Sequence, residues 1–155
     1  MATTTSYHQV VGPSAASVED AIVFATEAHR GRRYPSPEAE PYIFHSLRVM
    51  LGFTDPVDQM AAVLHDVVED TDRDLHDLVE AGCPTEVVAA IDSLTHRPNE
   101  AYEDYIERVA ANDIARRVKA VDLGENLANN LRSPTAAGNR ARIARYEKAL
   151  ARLTQ

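Results

Sequence analysis

AAVLHDVVED, residues Ala61 to Asp70, decides how this chain folds. Ala61, Ala62, Val63, Leu64, Val67 and Val68 make the stretch apolar almost all round, as in a helix at the centre of a bundle. Asp55 as cap and Pro56 at the first helical position give it a start signal. Its second half crowds His65, Asp66, Glu69 and Asp70 together. On a continuous helix turning about 100° per residue, these four cover an arc of about 140°. His65 and Glu69 are then i, i+4 neighbours, as are Asp66 and Asp70. Three carboxylates so placed repel one another, and burying them unpaired costs several kcal/mol. The helix dipole is also negative at this end. A divalent cation turns the repulsion into attraction, and imidazole with carboxylate suits Zn, Mn or Fe better than Ca or Mg. The competing reading is a helix end turned to solvent, its acids simply hydrated.

The same helical periodicity runs outward in both directions. SVEDAIVFATEAHRG has Ser17 as N-cap, Asp20 three residues later and Gly31 as terminator. RRYPSPEAEPYIF reads as a loop, and HSLRVMLGF as a short helix. RDLHDLVEAG stops at Gly82, and PTEVVAAIDSLTH, NEAYEDYIERVAAN, DIARRVKAVDLGENLANNLRS and GNRARIARYEKALARL complete the chain. No strand pair with turn chemistry stands out. The expectation is an all-α, single-domain bundle of about eight helices over residues 17–155, preceded by a flexible arm over residues 1–16.

Bulk properties narrow the function. The 155 residues carry 24 acidic and 16 basic side chains, for a formal net charge of -8. That balance disfavours nucleic acid and anionic membranes, which need surplus Lys and Arg. It leaves room for a small phosphate-binding pocket. Cys83 is the one cysteine, so an internal disulfide and a Cys-based zinc site are excluded and a reducing, cytoplasmic location is expected. No apolar run approaches a membrane span, and the first residues do not read as a signal peptide.

Two more residues belong with the opening stretch, because His65 and Asp66 cannot close a metal shell by themselves. His45 follows an apolar PYIF and begins a helix; the bland alternative is a capping or core histidine. Asp122 sits in VKAVDLGENL among Val118, Val121, Leu123 and Leu127, where a solvated charge is hard to explain. A salt bridge to Lys119 is its alternative. Taken in order, His45, His65-Asp66 and Asp122 resemble the H…HD…D ligand pattern of the HD superfamily of metal-dependent phosphohydrolases. The closer resemblance is to the hydrolase domain of RelA/SpoT-type enzymes and their small stand-alone relatives. It rests on AHRGRR, EPYIFH, AAVLHDVVEDTD and VKAVDLGENL, and runs from about Ala21 to Leu131. LHDVVEDTD is the most specific piece.

The resemblance implies Mn²⁺-dependent removal of the 3′-pyrophosphate from guanosine tetra- or pentaphosphate by metal-activated water. His45, His65, Asp66 and Asp122 would be the ligands. Glu69 and Asp70 match the acidic pair that handles the attacking water. Arg32 and Arg33 occupy the place of basic residues that contact the nucleotide, and Asn126 that of an Asn beside the ribose. Arg48 could also offset substrate charge. The chain departs from the pattern in its acidic PSPEAE loop, and in Leu123-Gly124-Glu125-Asn126 where the family often has Arg-Leu-His-Asn. Those changes touch substrate contacts rather than metal ligands. The rivals are an HD-type enzyme for another nucleotide or phosphorylated metabolite, and a non-catalytic nucleotide-binding module. His29 reads as a cap or packing residue with a substrate contact as alternative. His96 reads as loop chemistry with a pocket-rim role as alternative, His8 and His76 as surface, and Tyr102 and Tyr105 as core or interface. The basic run NRARIARYEK reads as a solvated face. Its alternative is a dimer surface, which would make the protein a homo-oligomer.

Overall fold

Asp55 and Pro56 start the central helix as the sequence predicts. The Asp55 carboxylate accepts from the Val57 and Asp58 amides at 2.9 and 3.2 Å, a cap worth about 1 kcal/mol. The computed structural model describes residues 15–132 and 139–155. Among them are α1 (Val18–Ala28), α2 (Ile43–Met50), α3 (Pro56–Leu64), α4 (Val67–Asp70), α5 (Leu75–Glu80), α6 (Thr85–Leu94), α7 (Tyr102–Ala110), α8 (Asp113–Arg132) and α9 (Arg140–Leu153). The only β-type pairing among the described residues is an isolated bridge between Arg33 and Pro41.

The all-α architecture is borne out, but the decisive stretch is not one helix. It breaks at His65 and Asp66, and this break separates α3 from the single turn of α4. The His65 amide reaches back only to the Ala62 carbonyl, at 3.4 Å, and Asp66 sits at φ -102° and ψ 0°. The 140° arc of a continuous helix therefore does not apply. Val67 and Val68 preserve the apolar spacing, so nothing local announces the break.

α3 is the hub. Ala61, Ala62, Val63 and Leu64 are fully buried, and the helix packs against α1, α2, α6 and α8. Around it, Val49, Val67, Leu78, Val87, Ile91, Val109, Val118 and Leu123 close one continuous core. Capping sets the other boundaries. Ser17 and Asp20 form the capping box of α1, and Asp74 and Asp77 that of α5. Gly82 follows α5 at φ 82°, a left-handed turn conformation that glycine adopts without strain. Its carbonyl accepts the Ala16 amide at 2.9 Å, which ties the chain before α1 to the body. The rest of the expected arm, and His8, lie outside the described residues.

The basic residues of the run on α9, Arg140, Arg142, Arg145 and Lys148, are exposed, as a solvated face requires, and some of them and Arg152 beyond it also reach α7. Arg152 pairs with Glu107 at 2.7 Å, Lys148 with Glu103 at 3.8 Å, and Arg145 lies over the Tyr102 ring. These contacts dock α9 on α7, and the helix also packs against α8. Among the described residues no helix is long and apolar enough to cross a membrane.

Candidate metal centre and active site

Two helices and the α3–α4 break bring the four expected ligands together. His45 comes from the first turn of α2, His65 and Asp66 from the break, and Asp122 from the middle of α8. His45, His65 and Asp122 each offer one atom within 4.8 Å of the others, and all three are buried. His45 Nε2 lies 3.0 Å from Asp122 Oδ1, and His65 Nε2 lies 3.4 Å from it. Asp66 Oδ2 is 3.0 Å from His65 Nε2 and 3.7 Å from His45 Nε2.

The donor set fits a metal by a test of its own hydrogen bonds. His65 Nδ1 lies 2.7 Å from the Ala62 carbonyl, which fixes the ring and assigns Nδ1 the proton. His65 Nε2 is buried with no hydrogen-bond partner, facing oxygens of two carboxylates. That is how a protein presents an imidazole to a metal. Burial alone would lower the His65 pKa, but Asp66 and Asp122 raise it well above its usual value. The spot favours positive charge, and metal binding would displace that proton. Burial likewise opposes the Asp66 and Asp122 charges. His65 beside Asp66, and Lys119 with His65 beside Asp122, hold both carboxyls below the usual range. With His65 neutral, as a ligand must be, Asp66, Glu69, Asp70 and Asp122 outnumber their nearby cations, Arg32 and Lys119, by two charges, a deficit that one divalent cation closes.

The salt-bridge reading of Asp122 holds, and it leaves the other oxygen free to face the histidines. Its Oδ2 accepts from Lys119 Nζ at 2.8 Å, while Oδ1 faces the histidines. Lys119 is held in turn over the Tyr105 ring. Asn126, expected beside a ribose, instead donates to Asp122 Oδ1 at 2.6 Å and accepts the Tyr34 hydroxyl at 2.6 Å. Tyr34 also stacks on His45 with centroids 4.5 Å apart and planes 8° apart. That face contact orients His45, whose Nδ1 has no hydrogen-bond partner.

The acidic pair flanks this centre on different leashes. Glu69 Oε1 accepts the His96 amide at 2.7 Å, which gives the loop after α6 a role at the site rim. Partial burial, with the charges of Asp66 and Asp70, pushes the Glu69 carboxyl above its ordinary value. Asp70 Oδ2 accepts the Tyr42 hydroxyl at 2.9 Å, and the same hydroxyl lies 2.7 Å from Asp66 Oδ2. Tyr42 was not singled out from the sequence. The signal available was its place three residues before His45, on the same face of the entering helix.

The expected basic contacts separate. Arg32 bonds the Asp70 carbonyl, with its other nitrogen 3.9 Å from Asp70 Oδ1, so it stands at the centre. Arg33 is exposed on the rim of a cavity of about 210 Å³ that also includes Arg32, His29 and Tyr42. Arg48 is not free to meet a phosphate. It bonds Glu125 from α8 and Glu40 from the loop, and lies over the Tyr34 ring. The PSPEAE acids thus act partly within the protein, latching the loop over the site. His29 is buried at the end of α1 and packs on Tyr42, the packing role expected of it.

No family model matches the chain. Over 91 residues it is 40% identical to the guanosine-3′,5′-bis(diphosphate) 3′-pyrophosphohydrolase MESH1 of Homo sapiens, covering 55% of this chain and 50% of that protein. The Drosophila melanogaster protein of the same name is 39% identical over 72 residues, 43% of this chain and 40% of its own. The chain therefore spans about half the length, or less, of these curated relatives. Its fold matches a solved structure described as a metazoan ortholog of SpoT that hydrolyzes ppGpp and plays a role in starvation responses. The TM-score is 0.75 at 26% identity, over 93% of this chain and 88% of that one. The helical HD fold and the resemblance to ppGpp hydrolases stand on these likenesses.

Proposed function

We propose that this protein is a metal-dependent phosphohydrolase that removes the 3′-pyrophosphate of guanosine tetra- or pentaphosphate. The observation that carries the reading is the convergence of His45, His65, Asp66 and Asp122, with His65 Nε2 unpartnered and aimed at two carboxylates. The similarity to the MESH1 proteins supplies the substrate class. Mn²⁺ suits the mixed nitrogen and oxygen donors, with Fe and Zn as competitors. When bound, such an ion acidifies water and polarises a phosphoryl group.

The chain's own groups do the rest. Glu69, whose carboxyl burial raises above its ordinary value, is suited to accept a proton from the attacking water, and Asp70 to orient that water. Arg32 offsets charge on the leaving pyrophosphate, and Arg33 meets the more exposed part of the nucleotide. Asn126 keeps Asp122 Oδ1 turned toward the histidines. Water adds across the 3′ ester, so ppGpp yields GDP and pyrophosphate. We place the whole of residues 17–155 in one domain, and the protein in the cytoplasm, on its lone cysteine and net charge of -8. A different phosphorylated substrate is the second reading, favoured by the capture of Arg48 between Glu40 and Glu125.

The test is hydrolysis of a panel. The Mn²⁺-loaded protein is incubated with ppGpp and a set of other nucleotides, and pyrophosphate and phosphate are measured. Pyrophosphate and GDP from ppGpp are expected. Rapid turnover of another nucleotide with none of ppGpp would favour the second reading, and binding without turnover a non-catalytic module.

A further inference from the structure

We propose that Tyr42 is a positioning residue whose single hydroxyl proton locks the ligand Asp66 and the water-handling Asp70 into one register; this rests on the function proposed above. The geometry is specific. One O–H lies 2.7 Å from Asp66 Oδ2 and 2.9 Å from Asp70 Oδ2, so two carboxylates on successive turns share one donor. Asp66 Oδ2 is also the oxygen that faces His65 Nε2 at 3.0 Å. The bond therefore acts on the oxygen directed at the metal position. With the α3–α4 break leaving Asp66 outside regular helix, backbone geometry alone does not fix that oxygen.

The ring is pinned on every side, as a post must be. His29 stacks on one face at 4.6 Å and 17°. Tyr34 and His45 meet it edge-on at 5.7 and 6.0 Å, and the Arg32 guanidinium lies 5.7 Å from its centroid. His29 makes this packing at a cost, because both its ring nitrogens are buried without a hydrogen-bond partner. A side chain that merely filled space would not need so exact a hold, nor a hydroxyl directed at two acids. The PYIFH segment thus delivers a ligand, His45, and the group that aims another.

Tyr42→Phe keeps the ring and removes the proton. Binding of Mn²⁺ alone, followed by the electron paramagnetic resonance signal of the free ion, should weaken by about tenfold or more, the usual effect of removing a group that orients a ligand. At saturating Mn²⁺, kcat for ppGpp should still fall about tenfold while KM changes less than about twofold, because Tyr42 acts through Asp70 and not on substrate. In an Asp70→Asn background the Tyr42→Phe effect on kcat should largely vanish, since coupled residues are not additive. Unchanged Mn²⁺ affinity in Tyr42→Phe would overturn the proposal, as would a full additional loss of kcat in the Asp70→Asn background. The Mn²⁺ measurement needs no substrate, so it reads Tyr42 even if ppGpp proves to be the wrong nucleotide. If the wild-type protein itself binds no Mn²⁺, the failure belongs to the proposed function instead.

Discussion

Asp66→Ala abolishes tight Mn²⁺ binding and lowers pyrophosphate release from ppGpp at least about a thousandfold. The size follows from what the carboxylate does. Its Oδ2 stands 3.0 and 3.7 Å from the two histidine nitrogens that would share a metal with it, and it anchors the Tyr42 hydroxyl. Losing an ion that contributes several kcal/mol of transition-state stabilisation costs about a thousandfold for each 4 kcal/mol. The fold should survive. Against burial, His65 holds the Asp66 carboxyl below its usual range, so the metal-free protein loses a favourable pair when the carboxylate goes. Its denaturant midpoint without metal should fall modestly, while the stabilisation by Mn²⁺ disappears. Full activity in this variant would remove Asp66 from the site.

Lys119→Met destabilises the metal-free protein by about 3 kcal/mol, seen as a lower midpoint in urea. Lys119 Nζ lies 2.8 Å from Asp122 Oδ2 in the interior, and Asp122 raises the Lys119 pKa well above its usual value, although burial alone would lower it. Methionine fills a similar volume but leaves the buried Asp122 charge with only the histidines and Asn126 to offset it. Saturating Mn²⁺ should recover part of the loss, because a cation at the histidines takes over part of the compensation. A variant as stable as the wild type would mean that the ion pair does not hold Asp122 in place.

Much of this site is legible in the sequence for a physical reason. His45, His65, Asp66 and Asp122 are polar residues embedded in apolar helical runs, and such residues need partners. The all-α fold follows from periodicity and caps such as Ser17 and Asp55, which behave as local chemistry predicts. The unread features depend on tertiary contact. The break at His65 and Asp66 leaves hydrophobic spacing intact, so the pattern runs straight through it. Arg48 looked available to phosphate because its captors, Glu40 and Glu125, come from a loop and a distant helix. The bonds of Asn126 to Asp122 and Tyr34 are not legible in the sequence because they require the assembled site. A salt bridge and a metal ligand are not exclusive readings of Asp122, since a carboxylate has two oxygens: Oδ2 pairs with Lys119 and Oδ1 faces the histidines.

The central claim is that these residues form one metal centre, and anomalous scattering tests it most directly. Crystals grown with Mn²⁺ and measured at the manganese absorption edge should show one strong peak bounded by His45 Nε2, His65 Nε2, Asp66 Oδ2 and Asp122 Oδ1. No peak there, or a peak held by other residues, would contradict the account.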